Sequence, residues 1–182
     1  MNKNLLILSG VGFVLVGIVA YLSVQRYTKS FSPEAVAEYS SDSLAVKVTY
    51  CQPAKKKRLI FGREKDNALV PYDKVWRTGA NEATVIHFSS DVQLAGTPVP
   101  AGTYSLWTIP GPARWQVVIN EETGQWGTQY NDGLDVVRVD VPIRIREEAR
   151  ENFSVYFEEQ THGADLILSW DHTEAVVPIR VQ

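Results

Sequence analysis

The chain has 182 residues, 18 basic and 21 acidic side chains among them, a length that holds one folded domain and little more. Residues 1–29 carry three of the basic residues and none of the acidic ones, which leaves 15 against 21 in the remainder, a net charge of −6. A domain that acidic repels phosphate backbones, which excludes nucleic acid as a partner. The single cysteine, Cys51, excludes an internal disulfide framework and a cysteine metal site.

Leu5 to Val24 is a run without a charge, and its only polar side chains are Ser9, Tyr21 and Ser23. At 1.5 Å per residue such a run reaches about 30 Å, the thickness of a bilayer core. A cleaved signal peptide has a shorter apolar core, roughly 7–15 residues, and a small-x-small cleavage site. Here Ala35-Val36-Ala37 lies well past the run, and Ile18-Val19-Ala20 puts a bulky Ile where a small residue is wanted. No Cys follows closely, so a lipoprotein signal is absent. The expectation is one N-terminal transmembrane helix within residues 1–29, with the lipid bilayer as the partner of Leu5–Val24; a cleaved signal peptide is the alternative. The amino terminus and Lys3 on one side, and Arg26 and Lys29 on the other, leave the orientation tied.

Residues 30–34 read as a tether and residues 35–182 as the folded domain. A strand is expected at Ala35–Tyr39, a turn at Ser40–Ser43, and then a clear returning strand. In Leu44–Tyr50 the apolar Leu44, Val46, Val48 and Tyr50 share one face, and Lys47 and Thr49 the other. Period-two alternation marks a sheet with one buried side. It recurs at Thr84–Phe88, Thr103–Ile109, Trp115–Ile119, Leu134–Val141, Phe153–Phe157, Leu166–Trp170 and Val176–Val181. Turn signals separate these runs, among them Ala95-Gly96-Thr97-Pro98, Pro110-Gly111-Pro112, Asn131-Asp132-Gly133 and His162-Gly163. The charged stretch Arg146–Glu151 admits a helix. Short strands at nearly even spacing predict an all-β fold, an antiparallel β-sandwich of about eight to ten strands.

Three motifs stand out. Val75-Trp76-Arg77-Thr78-Gly79-Ala80-Asn81-Glu82-Ala83-Thr84 gathers a Trp, an Arg, an Asn and a Glu around one Gly. Ala101-Gly102-Thr103-Tyr104-Ser105-Leu106-Trp107-Thr108-Ile109-Pro110-Gly111 follows, and then Gln125-Trp126-Gly127. In this order they resemble the bacterial envelope family known as domain of unknown function 2911, from about Ser32 to the C-terminus. The resemblance implies an exported domain and so breaks the orientation tie. It places the protein in the inner membrane as a single-pass chain with its C-terminal domain in the periplasm, or secreted if the signal is cleaved. It implies no activity.

The candidate binding residues are Arg77, Asn81, Glu82 and Trp126. Gly79 permits a bend at positive φ that lets Arg77 and Glu82 point to one side. An Arg fork suits a carboxylate or phosphate, and Asn81 both donates and accepts. The competing structural reading is a buried Arg77–Glu82 pair that pins the loop, with Trp76 packed behind it. Trp126, in a Gly-flanked loop, is either a stacking surface for a sugar or apolar ligand or the loop's own packing anchor. Lys55-Lys56-Lys57-Arg58 reads as a solvated hairpin end or a weak attraction to anionic lipid.

No catalytic or metal residue is assigned and no cofactor is expected. His87, His162 and His172 lack metal-ligand spacing, and neither HExxH nor G-x-S-x-G occurs. The leading functional expectation is a membrane-anchored extracytoplasmic domain that binds a small polar molecule or glycan. The alternative is a protein-interaction or structural module of the cell envelope. A hydrolase using Glu82 comes last, because no partner group for that carboxylate is marked.

Overall fold

The computed structural model describes the backbone of residues 3–182 and the side chains of residues 13–21, 23–24 and 26–182. The chain divides into two compact units, Met1–Phe31 and Ser32–Gln182.

The first unit is one helix, α1 (Lys3–Phe31). Its described side chains begin at Phe13. Among the described residues no helix is long and apolar enough to cross a membrane. This corrects the transmembrane helix expected at Leu5–Val24, of which the side chains of Leu5–Gly12 and Leu22 lie outside the described residues. The single-pass inner-membrane placement, the periplasmic localisation and the lipid bilayer as a partner are corrected with it. So is the reading of the chain as a membrane-anchored binding domain.

The second unit is an antiparallel β-sandwich of two sheets. Its strands are β1 (Glu34–Ser40), β2 (Ala45–Cys51), β3 (Phe61–Gly62), β4 (Val70–Pro71), β5 (Thr84–Phe88), β6 (Val92–Leu94), β7 (Thr97–Val99), β8 (Gly102–Pro110), β9 (Arg114–Asn120), β10 (Asp135–Gln160) and β11 (Gly163–Val181). The hydrogen-bonded order is β1-β2-β5-β8-β9-β10-β11-β6-β7, and β3 and β4 form a short parallel pair apart from it. β10 belongs to both layers: Asp135–Pro142 pairs with β9, and Ile143–Gln160 pairs with β11.

The continuity of β10 was not expected from the sequence, where Leu134–Val141 and Phe153–Phe157 read as separate strands with a potential helix at Arg146–Glu151. The charged stretch is extended instead, with register shifts between Ile145 and Arg150 and between Arg150 and Ser154. Such bulges break the alternation and bend a strand, which lets one strand turn from the first sheet into the second. Leu166–Trp170 and Val176–Val181 are likewise one strand, β11.

The core is one cluster fed by both layers: Val46, Val48, Ile86, Phe88, Leu106, Val117 and Ile119 from the first sheet, and Val92, Leu94, Val155, Leu166 and Leu168 from the second. Burying each such side chain contributes about 1.5–3 kcal/mol. At one place the core is aromatic. Trp76 packs against Phe61, Trp115, Phe153 and Trp170, with ring centroids 5.1–6.0 Å apart. On the opposite face of β8 and β9, Trp107 and Val118 pack with Ala83 and Tyr130 in a second, smaller cluster. Trp107 and Val118 alternate with core residues, so they point outward, and the segment after β9 folds over them.

Candidate functional site

The segment between β4 and β5 runs beside β8. Trp76 and Thr108 exchange backbone hydrogen bonds of 2.7 and 2.9 Å. Past Trp76 the chain takes three left-handed conformations: Thr78 at φ 53°, Gly79 at φ 156° and Asn81 at φ 61°. A β-branched residue at positive φ is a genuine outlier, costing on the order of 1–3 kcal/mol. Its surroundings hold it in place. Thr84 Oγ1 donates to the Thr78 carbonyl at 2.7 Å, Thr78 Oγ1 donates to Thr108 Oγ1 at 3.1 Å, and Trp76 Nε1 donates to the Gly79 carbonyl at 3.0 Å. Gly79 admits no side chain without strain, because a Cβ there would lie 3.0 Å from the Cys51 carbonyl.

The first and third sequence motifs meet in space. Glu82 and Trp126 form an antiparallel bridge. Ala83 N–H donates to the Gln125 carbonyl at 3.2 Å, and Gly127 N–H to the Asn81 carbonyl at 2.9 Å. Gly127 has to be glycine: a Cβ would fall 2.2 Å from Arg77 Cδ and 2.7 Å from the Asn81 oxygen.

Arg77 is half-buried, and its Nη1 donates to the Asn81 carbonyl at 3.4 Å. Burial pulls its pKa below the ordinary arginine value. Among the described residues no carboxylate pairs with it, so the Arg77–Glu82 pair expected as the structural alternative does not form. Asn81 is buried, and its Nδ2 donates to the Ser32 carbonyl at 3.4 Å. Its amide is therefore part of the scaffold. Glu82 is half-buried, and Cys51 Sγ lies 3.9 Å from its Oε2. Trp126 is half-buried, held by a bond from Gln129 N–H to its carbonyl at 2.8 Å.

A cavity of about 150 Å³ lies beside Arg77, lined by Leu69, Val70, Pro71, Lys74, Val75, Trp76, Arg77 and Gly127. Asn81, Glu82 and Trp126 do not line it. Lys74 and Gly127 were not singled out from the sequence. Gly127 was in view as part of Gln125-Trp126-Gly127; Lys74 carries no local signal, because only the fold sets it beside Arg77. A larger cavity, about 290 Å³, lies by Asp73, Gly111, Arg114 and Asp140, where Arg114 already pairs with Asp140 at 3.5 Å.

The remaining polar features are committed locally. In the basic cluster, Lys55 pairs with Asp171 at 2.5 Å, and Arg58 donates to the carbonyls of Ala54 and Lys55 at 2.6 and 3.0 Å. His87, His162 and His172 are exposed; His87 Nδ1 lies 2.9 Å from Thr103 Oγ1. No group of three or more His, Cys, Asp or Glu side chains suited to a metal ion occurs among the described residues.

Glu174 is a heavily bonded carboxylate. It is buried on β11 and accepts from Arg144, Arg146, Tyr156 and Ser169 at 2.7–3.0 Å. Burial raises its pKa, but these four donors outweigh burial and bring it down to about 2. The network joins β10 to β11 and is satisfied within itself.

No curated protein and no solved structure matches the chain. Residues 32–179, nearly all of the β-sandwich unit, match the model of one protein family of unknown function, and the chain therefore belongs to that family, DUF2911.

Proposed function

We propose that the Ser32–Gln182 domain is a protein-interaction module. Its contact surface is built where the Trp76–Thr84 segment meets Gln125–Gly127, with Arg77, Glu82 and Trp126 as the groups that meet the partner and Asn81 holding the loop in place. The observation that carries this reading is Arg77, a half-buried guanidinium whose described hydrogen bond is one long contact to a carbonyl. A desolvated charge without a counter-ion is costly, and an anionic group on a partner restores the lost solvation through charge-assisted hydrogen bonds.

Cavity size favours a protein partner over a free small molecule or glycan. The space beside Arg77 is about 150 Å³, whereas pockets that enclose whole ligands run roughly 300–1,000 Å³. It fits one side-chain group presented by a larger surface. Trp and Arg are also the residue types most enriched where interfaces carry their energy. The left-handed Thr78 and Asn81 support the same view, because strain held by surrounding bonds clusters at binding sites.

Site-specific photo-crosslinking in cells tests the proposal. A photoreactive amino acid placed at Val75 or at Trp126 should give discrete protein adducts, and one at Ile145, exposed on β10, should not. Absence of discrete adducts from both positions, or the same adducts from Ile145, contradicts the proposal.

A further inference from the structure

We infer that the cavity beside Arg77 is a receptor for a glutamate or aspartate side chain on the partner, with an apolar residue next to it in the partner's sequence. The inference rests on the interaction reading above and names the chemistry that the surface selects.

Two basic residues line the cavity, Lys74 and Arg77, and no acidic residue does. Arg77 is the desolvated one. Lys74 is exposed and only loosely tied, with Nζ 3.6 Å from Glu64 and both side chains mostly in solvent. A pair that exposed is worth little, so Lys74 is free to turn toward an incoming anion. The other lining residues are Leu69, Val70, Pro71, Val75, Trp76 and Gly127. Leu69 and Val75 are 42% and 41% exposed at the rim, and Leu59, 47% exposed, adjoins them through the 2.9 Å bond from Leu69 N–H to its carbonyl. An apolar rim around a cationic cavity calls for an acidic group beside an apolar one.

The desolvated guanidinium balances one negative charge, and its planar fork matches a carboxylate. A chain terminus is captured by free backbone N–H groups, and four of this crossing are already used: Trp76 N–H on Thr108, Ala83 N–H on Gln125, Thr84 N–H on Arg77 and Gly127 N–H on Asn81. A side chain reaching in from the partner needs none of them.

Calorimetric titration of the full chain with three blocked peptides provides the test: acetyl-Leu-Glu-Leu-amide, its Gln counterpart and its phosphoserine counterpart. The Glu peptide should bind saturably, more weakly as salt rises. The Gln peptide should bind at least about tenfold more weakly, given the strength of hydrogen bonds to charged groups, and the phosphoserine peptide no more tightly than the Glu peptide. Arg77→Gln should weaken the Glu peptide by a similar factor. Lys74→Gln, a surface change that leaves the fold intact, should weaken it several-fold.

Equal binding of the Gln peptide, tighter binding of the phosphoserine peptide, no saturable binding at millimolar peptide, or full binding by both variants overturns the inference. The two proposals fail separately. Crosslinked adducts at Val75 and Trp126 that survive Arg77→Gln leave the interaction module standing and remove only the carboxylate. Peptide binding without any adducts keeps the anion site and removes the module.

Discussion

Gly127 and Arg77 occupy the same space so tightly that the glycine leaves room for the arginine and for nothing more. A Cβ at position 127 would lie 2.2 Å from Arg77 Cδ, 2.6 Å from its Nε and 2.7 Å from the Asn81 carbonyl oxygen. The third motif is thus the seat of the first motif's arginine. Gly127→Ala is expected to cost about 1–3 kcal/mol of stability, the range for overpacking a filled site. Arg77→Ala combined with Gly127→Ala should recover part of that, because two of the three close contacts then vanish. The remaining one is to backbone, so recovery should be incomplete. Denaturant unfolding of the four proteins in the cycle gives the coupling, expected to exceed about 0.5 kcal/mol. An unchanged midpoint for Gly127→Ala would show that the loops separate easily.

Stability should depend on pH through Glu174. Burial acts to raise its pKa, while its bonds with Tyr156, Arg146, Arg144 and Ser169 overcome that and depress it from the ordinary 4.5 to about 2. A depressed carboxyl contributes stability that is fully present above its unfolded pKa and is lost as pH falls through the folded one. The window therefore lies between pH 4.5 and about 2. Glu174→Gln should lower stability near neutral pH by on the order of 2 kcal/mol, the strength of a hydrogen bond to a charged group. It should also flatten the acid limb of the stability curve. A variant that unfolds along the same acid curve as the unmodified protein would show that another carboxyl controls the transition.

Trp76 couples the core to the loop that bears Arg77. Its ring stacks on Trp170 at 5.8 Å, and its Nε1 donates to the Gly79 carbonyl at 3.0 Å. Trp76→Phe keeps most of the apolar contact and orphans that carbonyl, which should cost about 1–3 kcal/mol. Trp76→Ala should cost about 3–5 kcal/mol. Hydrogen exchange should rise first at Thr84 N–H, which donates to the Arg77 carbonyl at 3.3 Å. Uniform loss of protection across the sandwich in Trp76→Phe would place Trp76 in the global core only.

We expect the β-sandwich to fold without α1. A chain that starts at Ser32 keeps the Ser32 carbonyl that accepts from Asn81 Nδ2, and the Pro33 carbonyl that accepts from Gln52 N–H at 2.8 Å. Circular dichroism should give a β-type spectrum and one cooperative melt. A spectrum without β character would show that residues 1–31 are needed for folding.

Much of the sandwich could be read from the alternation of apolar and polar residues. Val46, Val48, Ile86 and Phe88 are all inside, as period two requires. The signal failed where its physical basis did. β10 carries charged residues across its bulges, so no alternation marks Arg146–Glu151 as extended. β3, β4, β6 and β7 are two or three residues long, too short to show a period. At the site, the glycine and tryptophan motifs named the two segments that cross. They did not show that Arg77 lacks the Glu82 partner, because that depends on how the left-handed turns at Thr78 and Asn81 aim each side chain. Lys74 was invisible for a related reason: an exposed lysine has no distinguishing neighbours in sequence.

The most direct test watches Arg77 itself. With ¹⁵N-labelled protein, the Arg77 Nε–H resonance can be followed as acetyl-Leu-Glu-Leu-amide is added, with the Gln peptide as the control. The expected result is a saturable shift of that resonance with slowed hydrogen exchange, accompanied by the amides of Val75 and Gly127, and no comparable response to the Gln peptide. An Arg77 Nε–H signal that stays in place at saturating Glu peptide, or that moves equally with the Gln peptide, would contradict the assignment of Arg77 as the receptor for a partner's carboxylate.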